Sequence, residues 1–263
     1  MNKINKLFKE KNSNILSVYF TAGFPSLNDT TAIIQELETN GVDMIEVGMP
    51  FSDPLADGPT IQHTSEVALS NGMTIKLLFD QLAGASIKNS KAAILLMGYL
   101  NPVLQYGIEK FCKDAAALGV DGVILPDLPM QEYLDEYKPI FERFNLKNVF
   151  LITPQTSEER VRFIDQHSDG FIYMVSSAST TGAKSEIQNE QEAYFKRIKE
   201  MKLKNPTLIG FGISDAKTFE KACQYANGAI IGSAFVKAVV NSNSLKKDVA
   251  AFVKGIQEPV KIK

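Results

Sequence analysis

Three carboxylates cluster near residue 50: Glu46 in DMIEVG, then Asp53 and Asp57 in PFSDPLADGPTIQ. Strand periodicity puts Met44, Glu46 and Gly48 on one face and Ile45 and Val47 on the other. If the Ile45/Val47 face packs on helices, Glu46 turns inward near the end of its strand. A carboxylate there is costly to desolvate unless it is paired or works chemically. The plainer reading has Glu46 facing solvent or paired with a buried Lys or Arg. Pro50, Pro54 and Pro59 stiffen the loop that carries Asp53 and Asp57, which suits a base held in place. Asp57 could equally cap a helix at Thr60–Ile61.

Two glycine turns, GFGIS at 210–214 and IGS at 231–233, permit close backbone approach and suit a phosphate. Ordinary turn chemistry accounts for them as well. The small polar loop Ser176–Gln188 has the composition of a closing lid or of a plain surface insertion. Tyr173 shares a face with Phe171 and Val175, so it is either a core aromatic or a neighbour of Glu46 across an enclosed interior. His63 and His167 pair with no Ser or Cys in a nucleophile arrangement, and both read as helix residues. Cys112 and Cys223 read as small core residues. Two His and two Cys argue against a structural zinc site and leave acid/base work to carboxylates.

Apolar runs bounded by turn signals must position these groups. They read as strands at Ile15–Thr21, Val42–Gly48, Ala92–Gly98, Val120–Leu125, Val149–Thr153, Phe171–Val175, Leu208–Gly210 and Ala229–Ile231. Helical patterns lie between them at Leu27–Asn40, Glu109–Leu118, Glu132–Phe144, Glu158–Asp165, Glu190–Met201 and Ala216–Tyr225. Ser26 is the expected N-cap of the first. NGVDMIEVG, LGVDGVILPD, HSDGFIYMV and YANGAIIGS echo one another, each leading from a polar turn into a strand. Strands alternating with helices imply a parallel sheet buried on both faces. Eight such units predict an α/β fold, a (β/α)8 TIM barrel. An open doubly wound sheet is the alternative, but no GxGxxG follows the first strand. Ile4, Leu7 and Phe8 predict a short extra N-terminal helix covering the barrel bottom. No linker marks a second domain, so residues 1–263 are expected to form one. Both long loops, Met49–Ile61 and Ser176–Gln188, follow strand C-termini, the face on which barrel sites are built.

The 263 residues carry 28 Lys+Arg against 30 Asp+Glu. The resulting net charge of −2 argues against nucleic acid or an anionic membrane as main partner. MNKINKLFKEKNSN has no apolar signal core, and the longest apolar run, Ala92–Leu100, is too short to span a bilayer. Two cysteines fit a reducing compartment. The expectation is a soluble cytoplasmic protein.

IEVGMPFSDPLADGPTIQ resembles the signature of the tryptophan synthase alpha subunit family. YFTAGFPS, LMGYLNPVLQYG, GVDGVILPDLP, STTGAK, GFGIS and GSAFV follow in the family's order, from about residue 15 to 255. The resemblance implies a lyase that splits indole-3-glycerol phosphate into indole and glyceraldehyde 3-phosphate. It matches Glu46 to the family's catalytic acid/base and Asp57 to its partner. It matches Gly182, Gly212, Gly232 and Ser233 to a phosphate site, and Tyr19, Tyr99, Ile124 and Phe211 to an indole pocket. Tyr173 matches a tyrosine beside the catalytic Glu, and Thr181 a lid threonine. Ser177 and Ser179 depart from the commoner lid pattern. The resemblance implies no cofactor in this chain, and an α2β2 complex in which indole passes to a pyridoxal-phosphate beta subunit. The 50–57 loop and the Asn101–Pro102 and Asp127–Pro129 turns match the family's contact surface. Alternatives of the same chemistry or fold are a stand-alone lyase releasing indole and a silent barrel that only activates a beta chain. Sugar-phosphate epimerase barrels share the glycine turns but lack EVGMPFSDPLADGP.

Overall fold

The computed structural model describes residues 1–85, 87–176, 189–210 and 212–258. Among these, eight parallel strands close into a barrel in chain order. They are β1 Ile15–Thr21, β2 Met44–Gly48, β3 Ala93–Met97, β4 Gly122–Ile124, β5 Lys147–Ile152, β6 Ile172–Val175, β7 Thr207–Gly210 and β8 Gly228–Ile231. Helices cover the outside, giving the (β/α)8 architecture.

Strand alternation sorts the core into two bodies. Val18, Phe20, Ile45, Val47, Ile94 and Leu96 point outward and pack against the helices. Ile15, Met44, Leu95, Phe171, Leu208 and Ile230 point into the barrel. Each such side chain contributes roughly 1.5–3 kcal/mol when fully buried, so both faces of every strand are committed. Register places Tyr19 beside Glu46, and Glu46 beside Leu95, so the acid faces inward as its strand pattern predicts.

The N-terminal helix Lys3–Glu10 closes the barrel bottom. Ile4 is fully buried there, and Phe8 meets the Phe171 ring at 5.8 Å. Asn2 donates to the carbonyls of Asp121 and Asn145 at 2.7 and 2.8 Å, which ties the helix down.

Several expected boundaries move. The first barrel helix is Asp29–Thr39 and Ser26 does not cap it. Asp29 instead reaches back to accept the Ser26 N–H at 3.0 Å, closing a turn ahead of the helix. β2 begins at Met44 rather than Val42, because the Asp43 carboxylate is turned to the Leu16 N–H (2.9 Å) and to Lys11. β4 shortens to Gly122–Ile124, since the Asp121 side chain takes the Ile94 N–H at 3.0 Å. The helix expected at Glu132–Phe144 is broken by a π turn at Tyr133–Tyr137 before Lys138–Arg143. Pro139 has no N–H to continue an i→i−4 ladder there. The next helix after β2 begins at Pro59, which shortens the expected Met49–Ile61 loop. Other ends shift by one or two residues.

Candidate active site

Glu46 stands on the inner face of β2, fully buried. The Ser17 hydroxyl donates to Oε1 at 2.8 Å, and Oε2 has no partner among the described residues. Burial pushes its carboxyl up to about 8, opposed only by the Ser17 bond. At neutral pH the group is therefore mostly a carboxylic acid.

Asp57 reaches the same chamber from the loop after β2. Its carboxylate does not cap the following helix; Gly58 holds the cap position, and Pro59 supplies the first helical residue. Instead Tyr99 Oη donates to Asp57 Oδ2 at 2.9 Å and accepts the Ala56 N–H at 2.9 Å. Phe51 packs on the Tyr99 ring at 5.2 Å, so the loop is fastened to the end of β3. Burial pushes Asp57 up to about 6, and the Tyr99 bond opposes this. It is mostly ionised at pH 7. One acid holds its proton where the other has lost it, the condition for dividing acid and base roles.

Two buried tyrosines join them. Tyr19 lies beside Glu46 on β1, its hydroxyl 3.2 Å from Thr21 Oγ1, which is 2.6 Å from Thr64 Oγ1. Tyr173 comes from β6. Burial pushes both phenols well above their usual value, and both feel the charges of Glu46 and Asp57. Tyr173 thus lies within electrostatic reach of both acids. Ile124 ends β4, fully buried and facing inward.

Glycines make room for these rings. A Cβ on Gly48 would lie 2.3 Å from Tyr19 Oη, and one on Gly210 would lie 2.2 Å from Tyr173 Oη. Gly232 lies against the Tyr19 ring, 3.3 Å from where its Cβ would be, and Ser233 follows at the start of the next helix. Gly212 adopts φ +77° beside Ser176, at the end of β6. These turns therefore border the same end of the barrel. Thr181, Gly182, Phe211, Ser177 and Ser179 lie outside the described residues.

Asp53 does not join the site; it is exposed and accepts from the neighbouring Ser52 hydroxyl. His63 lies on the outer face of Pro59–Ser70, 3.7 Å from Glu66, and the His167 ring lies 4.7 Å from that of Phe163 at a tilt. Cys112 is buried and Cys223 half-buried. Among the described residues, no three His, Cys, Asp or Glu side chains converge as a metal site. Sequence reading missed Ser17, Thr21 and Thr64, because a hydroxyl on an inward strand position carries no signal without its partner. It places Gly48 on the face of Glu46 and Gly210 in a turn permitting close approach, but reads neither as making room for a buried tyrosine, because each ring comes from a strand distant in sequence.

A parallel barrel that encloses two buried acids of unlike surroundings, Glu46 and Asp57, falls in the class of barrel proteins equipped for acid/base chemistry. Comparison with known proteins narrows the class. The family model described as tryptophan synthase alpha chain matches residues 5–261. The tryptophan synthase alpha chain of Flavobacterium johnsoniae is 61% identical over 247 residues, covering 94% of this chain and 96% of that one. That of Christiangramia forsetii is 54% identical over 258 residues, covering 98% and 99%. The crystal structure of tryptophan synthase subunit alpha from Legionella pneumophila superposes with a TM-score of 0.87 at 31% identity, covering 97% of each chain. The chain belongs to the tryptophan synthase alpha chain family, whose members are lyases that cleave indole-3-glycerol phosphate.

Proposed function

We propose that Glu46 and Asp57 carry this cleavage as a retro-aldol reaction releasing indole and D-glyceraldehyde 3-phosphate. Glu46, in its acid form, protonates indole C3 and turns the ring into an iminium-like cation. Asp57, ionised, accepts the ring N–H and stabilises that charge. The Glu46 carboxylate then takes the proton from the hydroxyl on the carbon attached to C3. The C–C bond breaks, its electrons restore the aromatic ring, and the aldehyde forms. One proton has moved from oxygen to carbon, and Glu46 ends as it began. The observation that carries this reading is the fully buried Glu46 carboxyl, with one oxygen held by Ser17 and the other unpartnered among the described residues.

Tyr19, Tyr99, Ile124, Tyr173 and Phe211 would enclose the indole. Gly182, Gly212, Gly232 and Ser233 would hold the phosphate through backbone N–H groups, with Thr181 on the closing lid. Anchoring the phosphate lets remote binding energy orient the reacting carbon. The scheme uses no cofactor in this chain, with pyridoxal phosphate residing on a beta subunit, and residues 1–263 act as one domain in the cytoplasm.

The partner is a tryptophan synthase beta subunit in an α2β2 complex. Leu55, at the tip of the site loop, is 86% exposed, which suits burial by another chain. Asp127 accepts the Leu100 N–H at 2.9 and 3.1 Å, which joins the two neighbouring turns into one surface. Among the described residues no helix is long and apolar enough to cross a membrane.

Incubating the chain with indole-3-glycerol phosphate and measuring indole tests the reaction. Glu46→Gln should bind substrate and lose turnover; a wild-type rate would overturn the assignment. Titration with a beta chain tests the partner, and Leu55→Asp should weaken the complex.

A further inference from the structure

Most inward positions around Glu46 are apolar, and Ser17 is an exception, as is Thr21, which pairs with Thr64. It lies on the inward face of β1, fully buried, opposite Met44 and one pleat below the Tyr19–Glu46 pair. Its inward neighbour on the same strand, Ile15, is apolar, as is Ile230 opposite it on β8. An alanine or valine would fill this position without a polar group to satisfy. The Ser17 hydroxyl donates to Glu46 Oε1 at 2.8 Å, and Ser17 makes the one side-chain bond to that carboxyl among the described residues. A hydroxyl has a single proton to give. Giving it to Oε1 makes the two carboxyl oxygens unequal: Oε1 accepts, and the acid proton resides on Oε2. The bond also fixes a side chain that otherwise has several torsions free.

We propose that Ser17 is a positioning residue that occupies Oε1 of Glu46, so that Oε2 delivers the proton and collects it again. The inference rests on the acid/base role of Glu46. The other titratable groups that feel the Glu46 charge are Tyr19 from β1 and Tyr173 from β6; both stay neutral through the assay range, and Asp57 acts on the same two rings. Leu95 on the β3 side is apolar.

The test is indole release by the full chain as a function of pH, for Ser17→Ala, Ser17→Val and Ser17→Thr. Ser17→Ala should lower kcat roughly tenfold with KM little changed, the worth of one hydrogen bond. The alkaline limb of kcat/KM, set by Glu46 losing its proton, should move up by about one pH unit, because a bond favouring the carboxylate is gone. Ser17→Thr keeps the hydroxyl and should restore both, whereas Ser17→Val, of the same shape, should not. A structural role alone would lower thermal stability and leave the limb in place. The carboxyl stretch of Glu46, followed by isotope-edited infrared titration, reads the same shift without turnover, and Ser17→Val serves if Ser17→Ala does not fold. Wild-type limb and wild-type infrared midpoint in both hydroxyl-free variants would overturn the proposal. If Glu46→Gln is inactive in that case, only the role of Ser17 fails; if Glu46→Gln is active, the acid/base reading itself fails.

Discussion

Buried carboxylates lie at both ends of this barrel, and they are treated differently. At the bottom, Asp121 accepts the Ile94 N–H at 3.0 Å and the Lys3 N–H at 3.3 Å, and pairs with Lys3 Nζ at 3.2 Å. Asp165, in a neighbouring loop-helix contact, accepts two backbone N–H groups at 2.8 Å from Lys204 and Asn205, and the Asn205 amide at 2.9 Å. At the top, among the described residues, Glu46 has one hydroxyl and Asp57 has one phenol as side-chain partner. Burial raises Asp121 as well, but Lys3 and the backbone N–H groups work against it. Compensated acids hold strands in place; among the described residues the undercompensated pair have a single side-chain partner each, and Glu46 keeps a free oxygen. That contrast separates latch from site more sharply than burial does, because both kinds are buried.

The largest effect is expected at Glu46. Glu46→Gln should cut turnover by roughly 10³-fold or more, measured as indole release. The fold should not suffer, which is where the two ends part. Glu46 titrates at about 8 in the folded chain against 4.5 ordinarily. Between those values the folded state keeps a proton that the unfolded state has lost, so stability is full below about pH 4.5 and falls as pH rises to about 8. Glu46→Gln removes that loss, so denaturant unfolding at pH 9 should find the variant at least as stable as wild type. Asp121→Ala should behave in reverse. It strands Lys3 and the Ile94 N–H, and should cost about 3 kcal/mol in chemical unfolding while leaving kcat unchanged at permissive temperature. A variant of Asp121 that lost turnover without losing stability would erase the distinction.

Much of this was legible in the chain because its signals are local. Period-two burial placed Glu46 inside, since Ile45 and Val47 had to meet helices. Eight strand–helix units, with four echoing strand entries, pointed to the barrel, and Ile4, Leu7 and Phe8 gave the bottom helix. Boundaries were harder where side chains replace backbone partners, as Asp43 and Asp121 do at strand starts and Asp29 at a helix start. Ser17 was silent because its meaning depends on a residue 29 positions away. Asp57 was divided between cap and catalyst, and the distant Tyr99 decides against the cap.

A smaller effect is expected at the glycines beneath the site rings. Gly210→Ala would drive a Cβ into Tyr173 Oη, and Gly48→Ala into Tyr19 Oη. Each should cost about 1–3 kcal/mol and lower activity, because a rigid ring in a closed barrel has little room to retreat. Removing the hydroxyl tests the cause. Tyr173→Phe should recover part of the Gly210→Ala loss in a double-mutant cycle, and Tyr19→Phe part of the Gly48→Ala loss. Additive losses would show that backbone adjustment, not the phenol, sets the cost.

The smallest expected effect concerns the other acid. Tyr99 Oη joins Asp57 to the Ala56 N–H, so it both holds the loop and favours the carboxylate. Burial places Asp57 at about 6 despite that bond, and Tyr99→Phe would let it rise further. Asp57 stabilises the ring charge only in its ionised form, so the acidic limb of kcat/KM should move to higher pH, by about one unit for one hydrogen bond to a charged group. At pH 8 the variant should then lose only a few-fold in rate, whereas at pH 6 the loss should be larger. Stability follows the same sign: the carboxyl keeps its proton longer in the folded chain, so the variant should lose stability more steeply than wild type as pH rises from 4 toward neutrality. A uniform loss of rate at every pH would instead assign Tyr99 to the indole pocket alone, and would leave Asp57 titrated by burial without help from the phenol.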